Sequence, residues 1–133
     1  MPANELVLRP ASELSALLTT GEVSPVELTQ AFIDRARRFE RLNAYITVVR
    51  EEALRGAREA EKAVMAGGEL GPLHGIPISI KDLEITKGVR STMGSLVFKD
   101  HVPSQDSVVV ERVKASGAII LGKTNTPEFG MSG

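Results

Sequence analysis

Apolar residues recur every three or four positions through the first half of the chain, then give way after residue 70 to short unbroken apolar runs. The first pattern is that of amphipathic helices and the second that of buried strands. Over residues 12–20, Leu14, Leu17 and Leu18 share one side, and Gly21 stands where a left-handed residue would end the helix. Ser24-Pro25-Val26-Glu27 starts a second helix, with Ser24 as N-cap, Pro25 at the first helical position and Glu27 at the third. It runs to about Arg41, with Leu28, Phe32, Ala36 and Phe39 as its buried stripe. The β-branched and aromatic run from Asn43 to Val49 predicts a strand. Residues 50–66 return to a helix, with Ala53, Ala57, Ala60 and Val64 inward and Gly67-Gly68 as its stop.

Beyond the glycines, residues 76–81 predict a strand and residues 107–116 a helix that begins near Asp106 or Ser107. Residues 118–121 predict another short strand. These three form a βαβ unit with a long first connection, so the strands are expected to run parallel with a right-handed crossover and to end at one edge of the sheet. Ligands of open α/β sheets gather at that edge, which brings Lys81 and the loop 122–133 together there. Residues 83–105, broken by Gly88, Gly94 and Pro103, read as a loop around the rim. The Val108-Val109-Val110 run reads as core and His74 as a turn residue. The fold class is α/β, with N-terminal helices followed by part of a mixed β-sheet flanked by helices.

Composition removes several classes of function. With 42% hydrophobic and 25% charged residues the chain is an ordinary globular one,. Sixteen Lys and Arg against seventeen Asp and Glu give no basic surplus for nucleic acid,. The absence of cysteine excludes disulfides and thiolate metal sites,, and His74 and His101 are too isolated to suggest a metal. Met1 to Glu5 carries an early acid and no long apolar core, unlike a signal peptide. No run approaches the roughly 18 apolar residues of a membrane span. A cytoplasmic protein is the expectation.

The chemical lead is the strand Ile76-Pro77-Ile78-Ser79-Ile80-Lys81. Alternation puts Ile76, Ile78 and Ile80 on one face and Pro77, Ser79 and Lys81 on the other. A lysine carried inward by such a strand loses hydration, its pKa falls, and a neutral amine able to accept a proton becomes accessible. Spacing alone leaves a second reading open, a solvated charge at a strand end, which is the commoner state of a single lysine. A Ser79/Lys81 dyad is disfavoured, because i and i+2 side chains in a strand stand roughly 7 Å apart.

Four ordered blocks settle which chemistry to weigh. They are Gly71-Pro72-Leu73-His74-Gly75-Ile76-Pro77-Ile78-Ser79-Ile80-Lys81-Asp82, the run Thr86 to Thr92, the run Asp106 to Ala118, and Gly122-Lys123-Thr124-Asn125-Thr126-Pro127-Glu128-Phe129-Gly130. Together they cover most of residues 71–133, and the chain resembles the N-terminal part of the amidase signature family, serine hydrolases that cleave carboxylic amides with a Ser-cisSer-Lys triad. Ser24 to Leu28 and Asn43 to Ile46 resemble the family's helical lead-in. The resemblance implies that Lys81 is the catalytic lysine, that Met131 and Ser132 line the substrate pocket near the scissile bond, and that neither metal nor organic cofactor takes part. Asp82 then reads as structural, holding backbone or a neighbouring cation, and Lys123 as scaffold.

The family's Gly-Gly-Ser-Ser-Gly-Gly segment, which carries the other two members of the triad, does not occur in these residues. The expectation is therefore one partial domain, with residues 1–70 as helical lead-in with one strand and 71–133 as the start of the core. Such a piece would be inactive alone, marginally stable and prone to self-association through exposed sheet edges. Its expected partner is a small-molecule amide, with a homodimer of the full-length protein kept in view. Within the family, the A subunit of a glutamyl/aspartyl-tRNA amidotransferase is the alternative, and Thr126-Pro127-Glu128-Phe129-Gly130 leans towards a general amidase. A non-catalytic association module is the reading from another class.

Overall fold

The computed structural model describes residues 3–131 and has the α/β architecture expected. In chain order the elements are α1 (Ala3–Leu6), α2 (Ala11–Thr20), α3 (Pro25–Arg38), β1 (Tyr45–Val48), α4 (Arg50–Met65), β2 (Pro77–Lys81), α5 (Val108–Ala115) and β3 (Ile119–Thr124). The local signals sit where the residue types place them. Gly21 closes α2 with φ 75°, its N–H donating to Leu18 O, and the Ser24 hydroxyl accepts from Glu27 N at 3.1 Å with Pro25 behind it,. No helix among the described residues is long and apolar enough to cross a membrane.

The strands form one mixed sheet in the order β1-β3-β2. β2 runs parallel to β3 and β1 antiparallel to it, so β1 and β2 are both outer strands. On one face Ile119 and Leu121 of β3 pack on Ala53, Ala57 and Ala60 of α4 and on Ile33 of α3. The alanine stripe lets the α4 backbone lie close to the sheet. A second cluster joins Leu6, Leu14, Leu18, Val23, Leu28 and Ile76, and Phe32 touches both clusters.

Several side chains differ from their expected positions. The buried arc of α3 is Leu28, Thr29, Ala31 and Ile33, with Phe32, Ala36 and Phe39 only half-buried. A single stripe assumes one partner, whereas α3 meets the N-terminal helices on one side and α4 with the sheet on the other,. Of the valine run only Val110 is core; Val108 and Val109 are 61% and 53% exposed, because α5 has its N-cap at Ser107 and buries only one side of its first turn. The short helix α1 has no periodic pattern to announce it, yet it contributes the buried Leu6.

The stretch 83–105 is stapled rather than loose. Thr86 bridges Val89, Arg90 donates to Ile46 O and Thr47 Oγ1 of β1, and Ser107 Oγ donates to Glu84 Oε2 at 2.6 Å. Asp106 accepts from Lys87 N at 2.6 Å and pairs with Lys114 at 2.7 Å, which fixes α5 to the same stretch. Burial pushes the Asp106 carboxyl up, but the Lys114 ammonium and the Lys87 N–H outweigh it and hold the group below the usual carboxylate range,.

Two predictions follow from this packing. A Cβ on Gly122 would lie 2.1 Å from Thr47 O across the β1–β3 ladder, so Gly122→Ala should cost about 3 kcal/mol in urea unfolding. Gly68→Ala, where nothing lies within 4 Å, should change stability by under about 0.5 kcal/mol. For Asp106, a folded pKa below the unfolded one means that its contribution is complete above about pH 4 and is lost as pH falls through the folded value,. Urea midpoints measured from pH 6 to pH 3 should fall less steeply for Asp106→Asn than for the parent.

Candidate active site

Lys81 is the last residue of β2, paired with Thr124 at the end of β3, so the two parallel strands deliver their ends to one edge as their sequence order requires,. Its side chain is exposed there. Of the two readings that the strand pattern left open, an inward lysine and a solvated charge at a strand end, the structure has the second. Lys81 stands at the final rung of an outer strand, where no described element covers it, and its carbonyl accepts from Glu84 N at 3.0 Å as the chain turns.

The desolvated lysine is Lys123, which with Asp82 is completely buried. The two are joined at 3.2 Å between Nζ and Oδ1. Lys123 Nζ also donates to Glu84 O at 2.6 Å and to Ser91 Oγ at 2.9 Å, while its contact with Asp82 Oδ1 is an ion pair that lacks hydrogen-bond geometry,. The other Asp82 oxygen accepts from both the backbone N–H and the hydroxyl of Thr92. Burial pulls the Lys123 amine below the usual lysine range, opposed by the carboxylate of Asp82 and by the charge of Glu84,.

A register irregularity brings Lys123 to this position. Ile78 pairs with Ile120 and Ser79 with Gly122, so Leu121 is passed over. Leu121 thereby stays with Ile119 against α4, while Lys123 turns to the opposite face beside Thr47, its partner in β1,. Without that extra residue, strict alternation would aim Lys123 at the apolar helical layer. The bulge leaves no mark in the run Ile119-Ile120-Leu121-Gly122-Lys123-Thr124. A signal did exist in the equivalent placement of Asp82 and Lys123 at the ends of neighbouring parallel strands, and sequence reasoning treated only the first as a holder of charge.

Ser79 does not serve as a partner for Lys81, since its hydroxyl is hydrogen-bonded to Tyr45 Oη across the middle strand. Beyond β3, the segment holding Met131 is fastened to the stretch after Lys81. Phe129 N donates to Met93 O at 2.8 Å and Ser95 Oγ to Glu128 Oε1 at 2.7 Å. A Cβ on Gly94, at φ 68°, would meet Thr126 O at 2.7 Å. Met131 itself is exposed, and Ser132 lies outside the described residues. His74 Nε2 is hydrogen-bonded to Ala60 O at 2.9 Å, and the His101 ring packs edge-on against Phe98.

An exposed lysine at the carboxyl edge of a parallel pair, next to a buried ion pair, defines an α/β scaffold that presents an amine at the edge where open α/β sheets commonly bind ligands,. The amidase family profile matches residues 27–133, and the chain belongs to the amidase signature family. Similar curated proteins include the A subunit of the glutamyl-tRNA(Gln) amidotransferase of Azoarcus sp., 51% identical over 90% of this chain and 25% of that protein. The mitochondrial A subunit of Ornithorhynchus anatinus is 46% identical over 90% of this chain and 23% of its own length. Among solved structures, the peptide amidase of Stenotrophomonas maltophilia superposes with TM-score 0.86 at 34% identity, over 92% of this chain and 26% of that one. A bacterial aryl acylamidase gives 0.85 at 28%, over 91% and 26%. The chain thus spans about a quarter of the length of the relatives it matches.

Lys123→Met should leave the Asp82 carboxylate buried without its cation and cost about 3–5 kcal/mol, read as a fall in the urea midpoint. Asp82→Leu combined with Lys123→Met removes both charges and should recover most of that loss. Equal destabilisation of the single and the double variant would show that the ion pair is not what the single substitution breaks.

Proposed function

We propose that this chain is the lysine-bearing part of a serine amidohydrolase acting on carboxylic amides, with Lys81 as the base of a Ser-cisSer-Lys triad. The observation that carries the reading is the position of Lys81, exposed at the end of β2 and level with the end of β3. In this chemistry the neutral amine takes a proton from the bridging serine, which takes one from the nucleophilic serine as that oxygen attacks the amide carbonyl. The C–N bond breaks as the leaving amine is protonated. Water, deprotonated by the same relay, then releases the acid from the acyl-enzyme. Both serines belong to the glycine-flanked segment that these 133 residues do not contain, so on this reading they do not turn over an amide alone. Met131 and Ser132 line the substrate pocket near the scissile bond on this reading.

A second reading, the A subunit of a tRNA-dependent amidotransferase, is favoured by the name carried by curated relatives at 46% and 51% identity. The amide would then be that of glutamine, and the released ammonia would be passed on within a complex of subunits.

The test uses the full-length chain that contains these residues, assayed for ammonia release from glutamine and from simple and peptide amides. Lys81→Ala should lower kcat by about a thousandfold, and Lys81→Arg by as much, since a guanidinium does not give up its proton in proteins. Undiminished turnover in either variant removes Lys81 from the mechanism. Glutamine hydrolysis that appears only with partner subunits selects the second reading.

A further inference from the structure

We infer that Asp82 and Lys123 are positioning residues for Lys81, acting as a buried clamp on the turn that immediately follows it. The inference rests on the proposed role of Lys81 as the base.

Several fixed points of that turn meet on the residue next to Lys81. The Asp82 N–H donates to Thr124 O at 3.0 Å, tying the end of β2 to the end of β3, and its carbonyl accepts from Met93 N at 3.0 Å. Its carboxylate is held by Thr92 on one oxygen and by Lys123 on the other. Lys123 in turn grips Glu84 O, whose own N–H donates to Lys81 O. The backbone of Lys81 is thereby closed in a ring of contacts that passes through Glu84, Lys123 and Asp82.

The chemistry of the clamp points to placement rather than cohesion. Two ions taken out of water hold a fold no better than an apolar pair of the same volume. What they supply is direction: a carboxylate with one oxygen held by two Thr92 donors and the other ion-paired, and an ammonium donating to Glu84 O and Ser91 Oγ, restrict the turn to this arrangement,. An amine on a long flexible stem, at an open edge, can be aimed within tenths of an ångström only if its backbone is fixed in this way. Neither Asp82 nor Lys123 is exposed, so neither touches substrate.

The discriminating variant is Asp82→Leu/Lys123→Met in the full-length chain, beside Lys81→Ala and Lys123→Arg. The double variant should keep its thermal midpoint within a few degrees of the parent and its KM within threefold, yet lose at least tenfold in kcat. Lys123→Arg, which keeps a cation on Asp82, should recover part of it. Amide exchange supplies a readout independent of turnover. The Glu84 and Met93 N–H groups should exchange at least tenfold faster in the double variant, with those of α4 unchanged. Parental kcat together with parental exchange at Glu84 and Met93 would overturn the clamp. Loss of kcat with uniformly faster exchange throughout would also overturn it, by showing a general structural role. If Lys81→Ala retains turnover, the proposed function fails on its own, and the exchange measurement still decides whether the clamp orders the turn.

Discussion

A buried carboxylate and a buried ammonium, Asp82 and Lys123, hold together the ends of β2 and β3 and the stretch that follows β2. Dehydrating them costs free energy that their mutual attraction repays only with the help of further hydrogen bonds. That condition dictates the surroundings. Ser91 and Glu84 O must lie within reach of the ammonium, and Thr92 must present both its N–H and its hydroxyl to the carboxylate. The stretch after β2 is therefore irregular in backbone and specific in position. Thr86, Ser91, Thr92 and Ser95 are buried polar residues in it, an unusual concentration for a connecting segment,.

The same pair explains why adjacent residues have opposite fates. Lys81 ends a strand at the open edge, and the next residue turns its carboxylate beneath the sheet. Bringing Lys123 to meet it required the irregularity in β3 and a residue without a side chain at Gly122, where the neighbouring strand passes too close for a Cβ,. Apolar packing against α4 and the polar bracing of the opposite face are thus served by one six-residue strand, and the bulge lets the two demands coexist.

Local signals were legible wherever one residue type enforces one geometry: Gly21 at its left-handed cap, Ser24 and Pro25 at a helix start, the alanines of α4 against a sheet. The parallel pairing of β2 with β3 was legible from the order of the elements. What escaped were features set by contacts between distant parts of the chain. The second partner of α3, the exposure of Val108 and Val109, and the reversal of Lys123 each depend on tertiary neighbours that no window of sequence contains. For the candidate site, the strand pattern left Lys81 either inward or solvated at a strand end, and the desolvated lysine of the structure is instead Lys123. Burial belongs to Lys123 because two acceptors and the Asp82 carboxylate are gathered around it.

The division between these two lysines bears on how a base can be mounted at an open edge. An amine that must shed and regain a proton gains from proximity to water and to its serine partners, and loses if it is locked in an ion pair that favours the charged form. An amine that anchors a turn needs the reverse. Placing both on neighbouring strand ends separates the two requirements. Lys123 is ion-paired with Asp82, the residue next to Lys81 in the chain, at 3.2 Å. On the proposed reading of Lys81 as the base, the anchoring lysine serves the exposed one by fixing the backbone from which it springs and by engaging the neighbouring acid,.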